Sequence, residues 1–114
     1  MCLRVNLNGI DSGSNTHVSM FVHLMQGEFD NIVSWPFSNG LEITIMDQDQ
    51  ANPVNIKEEL FARPTLQAFL RPNMPRNHKG YGYVEMITHH ALRTRKYILN
   101  DTMVVKVEIK NRNP

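Results

Sequence analysis

The alternation of apolar and polar residues is the feature that most constrains the fold of this chain. Three segments carry it with a period of two, at residues 3–8, 41–46 and 103–109, and a fourth segment at 16–25 is largely apolar. Because the side chains of a strand point alternately to its two faces, each segment predicts a β-strand. The segment at 16–25 is apolar on both faces, which predicts a central strand that is covered on both sides.

The connections between these segments are rich in Pro, Gly and Asn, and they predict turns and loops. Residues 71–79 contain two prolines and predict a loop. The Arg63-Pro64 pair predicts an early end to any helix in 57–69, because the residue before a proline avoids helical geometry. We therefore expect a helical turn there, followed by a short strand around 67–70. Together the segments predict an all-β protein, an antiparallel β-sandwich of about six strands.

Two smaller features complete the predicted sandwich. Thr88 precedes a short run with helical character that ends near Arg93, and threonine is a typical residue at a helix N-cap. A single short helix is therefore expected after the strand that begins near Tyr81. The only tryptophan belongs to a Trp-Pro-Phe segment, in which we expect Trp35 and Phe37 to close one end of the core.

Size and composition restrict the functions that the chain can have. Its 114 residues suffice for one domain with a core, so a single domain over 1–114 is expected. The formal net charge of +1 gives no long-range attraction to nucleic acid, and no apolar run is long enough to span a membrane. Cys2 is the only cysteine, so no internal disulfide forms and a reducing, cytoplasmic location is favoured.

Patterns for catalysis and metal binding are weak in this sequence. The five histidines show no His-x-x-x-His spacing and there is no cysteine pair, so no metal ion or other cofactor is expected. Cys2 lies at the extreme N-terminus and no Gly-x-Ser-x-Gly motif is present, so no catalytic nucleophile is predicted. Asp47 and Asp49 lie in a polar loop, where carboxylates are usually solvated. A strand follows Gly80-x-Gly82, which argues against a phosphate loop, because such a loop leads into a helix.

The segment Lys79-Gly80-Tyr81-Gly82-Tyr83 predicts a strand with an unusual surface. The two tyrosines fall on the same face, and the glycines leave the backbone between them bare. Such an edge suits an extended peptide, since the backbone pairs with the peptide and the aromatic rings select its side chains. The structural alternative is an edge strand whose tyrosines pack on a neighbour, because glycine in a strand also marks a bulge.

A modest basic cluster lies beside this segment. Arg71, Arg76 and Lys79 belong to it, and His78 in the same loop is expected to line a surface. Basic residues next to aromatic ones bind single-stranded nucleic acid in some proteins. The small net charge favours an acidic peptide over nucleic acid as the partner of this cluster.

Several stretches resemble one known family. Residues 19–30, with the sequence Ser-Met-Phe-Val-His-Leu-Met-Gln-Gly-Glu-Phe-Asp, are followed by the Trp-Pro-Phe segment at 35–37. Together they resemble the C-terminal domain of the TNF receptor-associated factors, which has the TRAF-C or MATH fold. Residues 75–84 and 91–93 are similar to the sixth vertebrate type within this family. The resemblance covers essentially the whole chain.

The resemblance implies an eight-stranded antiparallel sandwich of which this chain begins at the third strand. Two further strands, a coiled coil, and RING and zinc-finger regions are then expected upstream. The ubiquitin-ligase activity associated with the family would lie in that RING, so this domain itself is expected not to be an enzyme. Trimer formation is expected only with the coiled coil, and weak self-association or marginal stability is expected from unpaired strand edges.

The resemblance also implies partners and a binding site. Domains of the sixth type bind receptor and adaptor tails with the pattern Pro-x-Glu-x-x-aromatic or acidic, which add as a strand to the edge containing Gly80 to Tyr83. Neither nucleic acid binding nor insertion into a membrane is implied. The implied peptide-binding residues are Arg4, Phe61, Gln67, Ala68, His78, Lys79, Gly80, Tyr81, Gly82 and Tyr83.

Individual roles follow from the resemblance. Tyr81 is implied to form the wall of a proline pocket, together with Phe61 or Leu60. The backbone N–H groups of Gln67 and Ala68 are implied to hold the glutamate of the peptide.

The remaining roles concern the far end of the peptide and two departures from the family pattern. Arg4 and Tyr83 are implied to contact the last aromatic or acidic residue, with Lys79 adding charge. Tyr81 stands where the sixth type has phenylalanine, and a buried hydroxyl needs a partner. His78 replaces a proline, which loosens one wall of the pocket.

A second class of function remains open at the level of sequence. The chain is also compatible with a MATH substrate-recognition module of another ubiquitin ligase or of a deubiquitinase, and such modules favour Ser/Thr-rich peptides. No sequence motif supports a third hypothesis, that the domain is an enzyme in its own right.

Overall fold

Eight strands and one short α-helix make up the computed structural model, which describes residues 1–110. The helix, α1, spans His89–Leu92. In chain order the strands are β1 (Cys2–Asn6), β2 (His17–His23), β3 (Gly40–Ile45), β4 (Ile56–Phe61), β5 (Tyr81–Thr88), β6 (Ile98–Leu99), β7 (Thr102–Met103) and β8 (Val105–Lys110).

Two three-stranded sheets pack against each other around the core. One has the strand order β1-β2-β5 and the other β4-β3-β8, while β6 and β7 form a separate hairpin. All the pairings of these sheets are antiparallel. The predicted antiparallel β-sandwich with one short helix is therefore confirmed. The strand predicted at 103–109 is divided between β7 and β8.

The central strand of each sheet supplies the most deeply buried side chains. Val18 and Met20 of β2 and Ile43 and Ile45 of β3 have no exposed surface. They meet in a single cluster that is completed by Val22, Leu41, Leu60, Met86, Ile87, Leu92 and Tyr97. The prediction that the 16–25 segment forms a central, covered strand is confirmed. Burying apolar surface from both sheets stabilises the sandwich and fixes the register of the strands.

The segment 57–69 folds differently from its sequence prediction. Strand β4 occupies Ile56–Phe61 where we expected a helical turn, and Gln67–Phe69 is a 3-10 turn where we expected a strand. Leu60 is the buried residue of β4, and its neighbours at 57–59 are exposed. An edge strand with charged side chains on both faces has no clear period of two, and only its pairing with β3 reveals it.

Helix α1 begins where the sequence predicts. The Thr88 hydroxyl oxygen accepts a hydrogen bond from the Ala91 N–H at 3.0 Å, as expected of an N-cap. Within residues 1–110, no helix has the length and apolar character needed to cross a membrane.

The Trp-Pro-Phe segment contributes one residue to the core rather than two. Phe37 packs against the main cluster and against a smaller cluster that contains Phe69. The rings of Phe37 and Phe69 are stacked, with 6.2 Å between their centroids. Trp35 is half-buried and donates its indole N–H to the Asp30 carbonyl oxygen at 2.8 Å, so it organises the loop before β3. It is absent from both clusters of the described chain.

The loop after β3 is built around a buried carboxylate. Asp47 is 5% exposed and its carboxylate accepts hydrogen bonds from the N–H of Val54 at 2.9 Å and of Asp49 at 3.1 Å. Arg95 approaches the same carboxylate at 3.3 Å. The Val54 N–H lowers the pKa of Asp47 most; burial opposes it, and Asp49 and Arg95 lower the pKa further. The expectation that Asp47 is simply solvated is therefore wrong.

Gly82 lies where β5 comes closest to its neighbour β2. A Cβ atom at this position would be 2.0 Å from the Met20 carbonyl oxygen and 2.8 Å from the Phe21 Cα. The pairing of the two strands shifts register between Val18 and Met20, just beside this contact. Strand β5 reaches β2 at this distance because residue 82 has no side chain.

We predict that Gly82→Ala destabilises the fold by about 1–3 kcal/mol or more, because the new methyl group meets backbone atoms that cannot rotate away. Chemical denaturation followed by fluorescence measures the change. Gly27→Ala is the matched control, since its nearest neighbour would be the Asp30 side chain at an ordinary 3.5 Å. Equal stability of the two variants would contradict the close contact.

We also predict that Asp47 gives the fold an acid-sensitive contribution. Its pKa in the folded state lies below the ordinary value of 3.8, so the contribution is present above that pH and is lost as pH falls through the folded value. The difference in unfolding free energy between wild type and Asp47→Asn should therefore shrink on acidification. A difference that stays constant as the pH falls would count against the prediction.

Candidate functional site

Strand β5 has a free edge in the described structure. It pairs with β2 on one side, and its other side is not paired with a strand of residues 1–110. Tyr81 and Tyr83 lie opposite Val22 and Met20 in the pairing, so their side chains share the face that packs on the core. The two rings therefore occupy the gap between the edge of one sheet and the edge strand β4 of the other.

Two surface depressions flank Tyr81 along this edge. The first has a volume of about 290 Å³ and lies between β4 and β5, and it is lined by Glu59, Leu60, Phe61, Arg63, Tyr81, Gly82 and Tyr83. The second has a volume of about 280 Å³ and lies between the 3-10 turn and the start of β5, and it is lined by Leu66, Gln67, Ala68, Lys79, Gly80 and Tyr81. Eight of the ten sequence-predicted site residues thus line one depression or both.

Tyr81 forms the wall that the two depressions share. Its ring lies against Phe69 with 5.1 Å between centroids and a tilt of 55°, and Phe69 in turn stacks on Phe37. Tilted and offset contacts of this kind are favourable for aromatic rings. The wall is therefore held from behind by a row of three rings, which limits its movement.

Tyr83 joins the two sheets at the first depression. Its hydroxyl donates a hydrogen bond to the Glu59 backbone carbonyl oxygen at 2.6 Å. Burial raises the pKa of Tyr83 above its ordinary 10.0, and the carboxylates of Glu58 and Glu59 raise it further. The phenol therefore stays protonated at neutral pH and keeps its donor role. Tyr83 thus fixes the distance between β5 and β4.

Asn77 connects the two sides of the second depression. It is 6% exposed, and its Nδ2 donates to the Gln67 carbonyl oxygen at 2.9 Å, with the carbonyl oxygens of Ala68 and Leu70 at 3.4 Å. Its Oδ1 accepts the N–H of Lys79 at 3.3 Å. One buried side chain therefore holds the 3-10 turn and the entry to β5 in a fixed relation.

His23 of β2 supports the segment that leads into β5. Its Nδ1 donates to the Asn77 carbonyl oxygen at 2.9 Å, because a carbonyl oxygen can only accept. The ring is 1% exposed, and a Cβ at Gly80 would lie 2.6 Å from Nε2. Gly80 and Gly82 therefore both lie where side chains or backbone of β2 leave no room for a Cβ. Strand β5 itself begins at Tyr81.

Arg4 and His78 are the two predicted site residues that the structure does not bring to the depressions. Arg4 lies on β1, the other edge of the sheet, and its guanidinium carbon is 4.5 Å from the centroid of the Phe21 ring. In the strand pairing, Arg4, Phe21 and Gly82 form one row, so they lie on the face opposite Tyr83. His78 is exposed and lines neither depression.

Sequence reasoning missed four side chains that belong to this surface, one of which is Leu66 in the lining of the second depression. Phe21 connects Arg4 to the glycine-bearing edge, and Glu59 and Arg63 line the first depression. The sequence did contain an indication for Phe21. It lies between Met20 and Val22 in the segment 16–25, so its side chain points to the opposite face of that strand. Glu59 and Arg63 carried no signal, because β4 itself was not predicted.

Within the described residues, no group of three or more His, Cys, Asp or Glu side chains is arranged to hold a metal ion. The site consists instead of a free backbone edge, aromatic walls and two small depressions. An edge of this kind serves protein recognition, because backbone pairing and side-chain pockets act together on an extended partner.

A β-sandwich with such an edge defines a protein-interaction domain. The family described as TRAF/meprin, MATH domain matches residues 1–106, and the chain belongs to this family. The recognition of this family from the 19–30, 35–37 and 75–84 segments is confirmed.

Individual relatives agree with this assignment. TNF receptor-associated factor 6 of Homo sapiens is 43% identical over 115 residues, which cover 98% of this chain and 22% of the relative. The Rattus norvegicus protein of the same name is 40% identical over 114 residues, covering 98% and 22%. The structure of Notothenia coriiceps TRAF5 superimposes with a TM-score of 0.89 at 30% identity, covering 98% of this chain and 56% of that one. The chain thus spans about a fifth of the length of the curated relatives it matches.

We predict that Asn77→Ala destabilises the fold by about 2–4 kcal/mol, because it leaves buried carbonyl groups without their donor. Thermal and chemical unfolding measure the loss. Asn73→Ala is the matched control, since Asn73 is exposed in the same loop and should change stability by less than about 0.5 kcal/mol. A small effect at Asn77 would show that the hydrogen-bonded link is not needed.

Proposed function

We propose that this domain binds the cytoplasmic tails of receptors or adaptors with the pattern Pro-x-Glu-x-x-aromatic or acidic. The observation that carries the proposal is the free edge of β5 with one depression on each side of Tyr81. The peptide adds to this edge as a strand, so that its backbone pairs with β5 and its side chains enter the depressions. The family and its relatives, which are named for association with TNF receptors, support a role of this kind.

The first depression suits the proline. Leu60, Phe61 and the rings of Tyr81 and Tyr83 line it together with Glu59 and Arg63, so it offers aromatic and aliphatic contacts to a compact apolar side chain beside two charged groups. Proline also lacks a backbone donor and loses little conformational freedom on binding. Its rigid ring therefore gains contact area here at low entropic cost.

The second depression suits the glutamate. The N–H groups of Gln67 and Ala68 open the 3-10 turn, and the first N–H groups of a helical turn have no partner within it. Lys79 lines the same depression and contributes a positive charge. A carboxylate bound here would accept charge-assisted hydrogen bonds, which are stronger than neutral ones.

Arg4 is the proposed contact for the last aromatic or acidic residue. It lies on the outer face of the sheet, where the row Arg4, Phe21 and Gly82 crosses all three strands. Arginine stacked on an aromatic ring binds both aromatic rings and carboxylates.

The role of the whole protein is proposed by extension. We propose an adaptor that acts in the cytoplasm in TNF-receptor or innate-immune signalling, including the NF-kappaB and ubiquitin pathways, and that forms trimers through an upstream coiled coil. The domain proposed here extends over 1–114 and is not itself an enzyme. Any ubiquitin-ligase activity would belong to a RING region outside these residues.

We predict that Tyr81→Ala and Arg4→Ala each weaken binding of a Pro-x-Glu-x-x-aromatic peptide by about 1–3 kcal/mol, as expected for interface hot spots. Isothermal titration calorimetry measures the affinity. Phe29→Ala is the control, because Phe29 is a 60% exposed aromatic residue that lines neither depression.

Two outcomes would decide against the assignment. Unchanged affinity in both site variants would remove the proposed site. Preferential binding of a Ser/Thr-rich peptide in direct competition would favour a MATH substrate-recognition module of another ubiquitin ligase or of a deubiquitinase. Melting curves of each variant separate a loss of binding from a loss of folding.

A further inference from the structure

The cleft between β4 and β5 has an acidic end beside Tyr83. The Tyr83 hydroxyl contacts the Glu59 carbonyl oxygen at 2.6 Å, which brings this part of β4 directly against β5. Glu58 shares the face of β4 that carries the buried Leu60, because side chains two residues apart point the same way. Its carboxylate therefore faces the gap between the sheets. Glu59 points to the other face and lines the first depression.

Both carboxylates are available to a partner. Glu58 and Glu59 are exposed, and within residues 1–110 neither forms an ion pair. Their charges reach the edge of β5, since both raise the pKa of the Tyr83 phenol. Lys57 shares a face of β4 with Glu59 but lines neither depression.

The opposite end of the cleft is basic. Arg63 lines the first depression together with Glu59, but it lies beyond the end of β4, where the chain continues to the 3-10 turn, and Lys79 lines the second depression. The cleft therefore changes from negative to positive along its length. A bound strand that is basic at one end and acidic at the other would therefore find complementary charge in one direction only.

The direction of the peptide follows from the proposed function, on which this inference rests. With the proline in the first depression and the glutamate in the second, the residues before the proline extend towards Tyr83, Glu58 and Glu59. We propose that Glu58 and Glu59 are specificity-determining residues, which select tails that carry lysine or arginine immediately before the proline.

The expected selectivity is moderate and depends on salt. An exposed ion pair typically contributes a factor of about two to five in affinity. Two pairs at one end of the peptide therefore give a preference of about 4- to 25-fold over a neutral flank at low ionic strength. Most of this preference should disappear near 1 M salt, where the Debye length falls to about 3 Å.

Three peptides with one Pro-x-Glu-x-x-Tyr core test the proposal, each preceded by two lysines, two glutamines or two glutamates. Their affinities are measured by calorimetry for wild type, Glu58→Gln, Glu59→Gln and the double variant. The matched control is Glu108→Gln, an exposed glutamate on β8 at the other edge of the same sheet. We expect the order lysine, glutamine, glutamate in wild type and in the control, with the preference reduced in each site variant and abolished in the double variant.

The outcomes separate this proposal from the proposed function. Equal affinity of the three peptides for wild type, or an undiminished lysine preference in the double variant, would overturn the role of Glu58 and Glu59 while leaving the binding of the shared core intact. Failure of all three peptides to bind wild type would overturn both. A loss of the lysine preference in Glu108→Gln as well would show a general charge effect and would also contradict the specific role.

Discussion

The close approach of β5 to β2 at Gly82 is the contact on which the rest of the surface depends. Because residue 82 has no Cβ, the two backbones meet at a distance that no other residue permits. This contact places Tyr81 and Tyr83 over the gap between the sheets, where one ring rests on Phe69 and the other bonds to β4. The free edge of β5 and its two depressions follow from that placement.

Two buried polar groups give the surface its shape at places where apolar packing does not reach. Asn77 ties the 3-10 turn to the start of β5, and His23 supports Asn77 from the neighbouring strand. A buried donor without a partner is costly, which favours the arrangement in which His23 Nδ1 and the Asn77 amide keep these hydrogen bonds. The loops around the site are thus specified by hydrogen bonds, whereas the strands below them are specified by apolar burial.

The sequence predicts the strands with a clear period of two, but it predicts neither β4 nor the buried polar residues that support the site. Leu41, Ile43 and Ile45 alternate with polar residues because one face of β3 packs on the core. Strand β4 is an edge with charged residues on both faces, so its local pattern carries no period and its pairing with β3 is long-range information. The role of Asn77 is likewise not predicted by the sequence, since nothing near it in the chain indicates that its side chain is buried.

The link through Asn77 also has a consequence for the width of the second depression. Asn77 bonds to both of its walls, so one buried side chain sets the spacing between them. A ligand side chain that binds there as proposed would meet walls whose separation is set by the fold before binding.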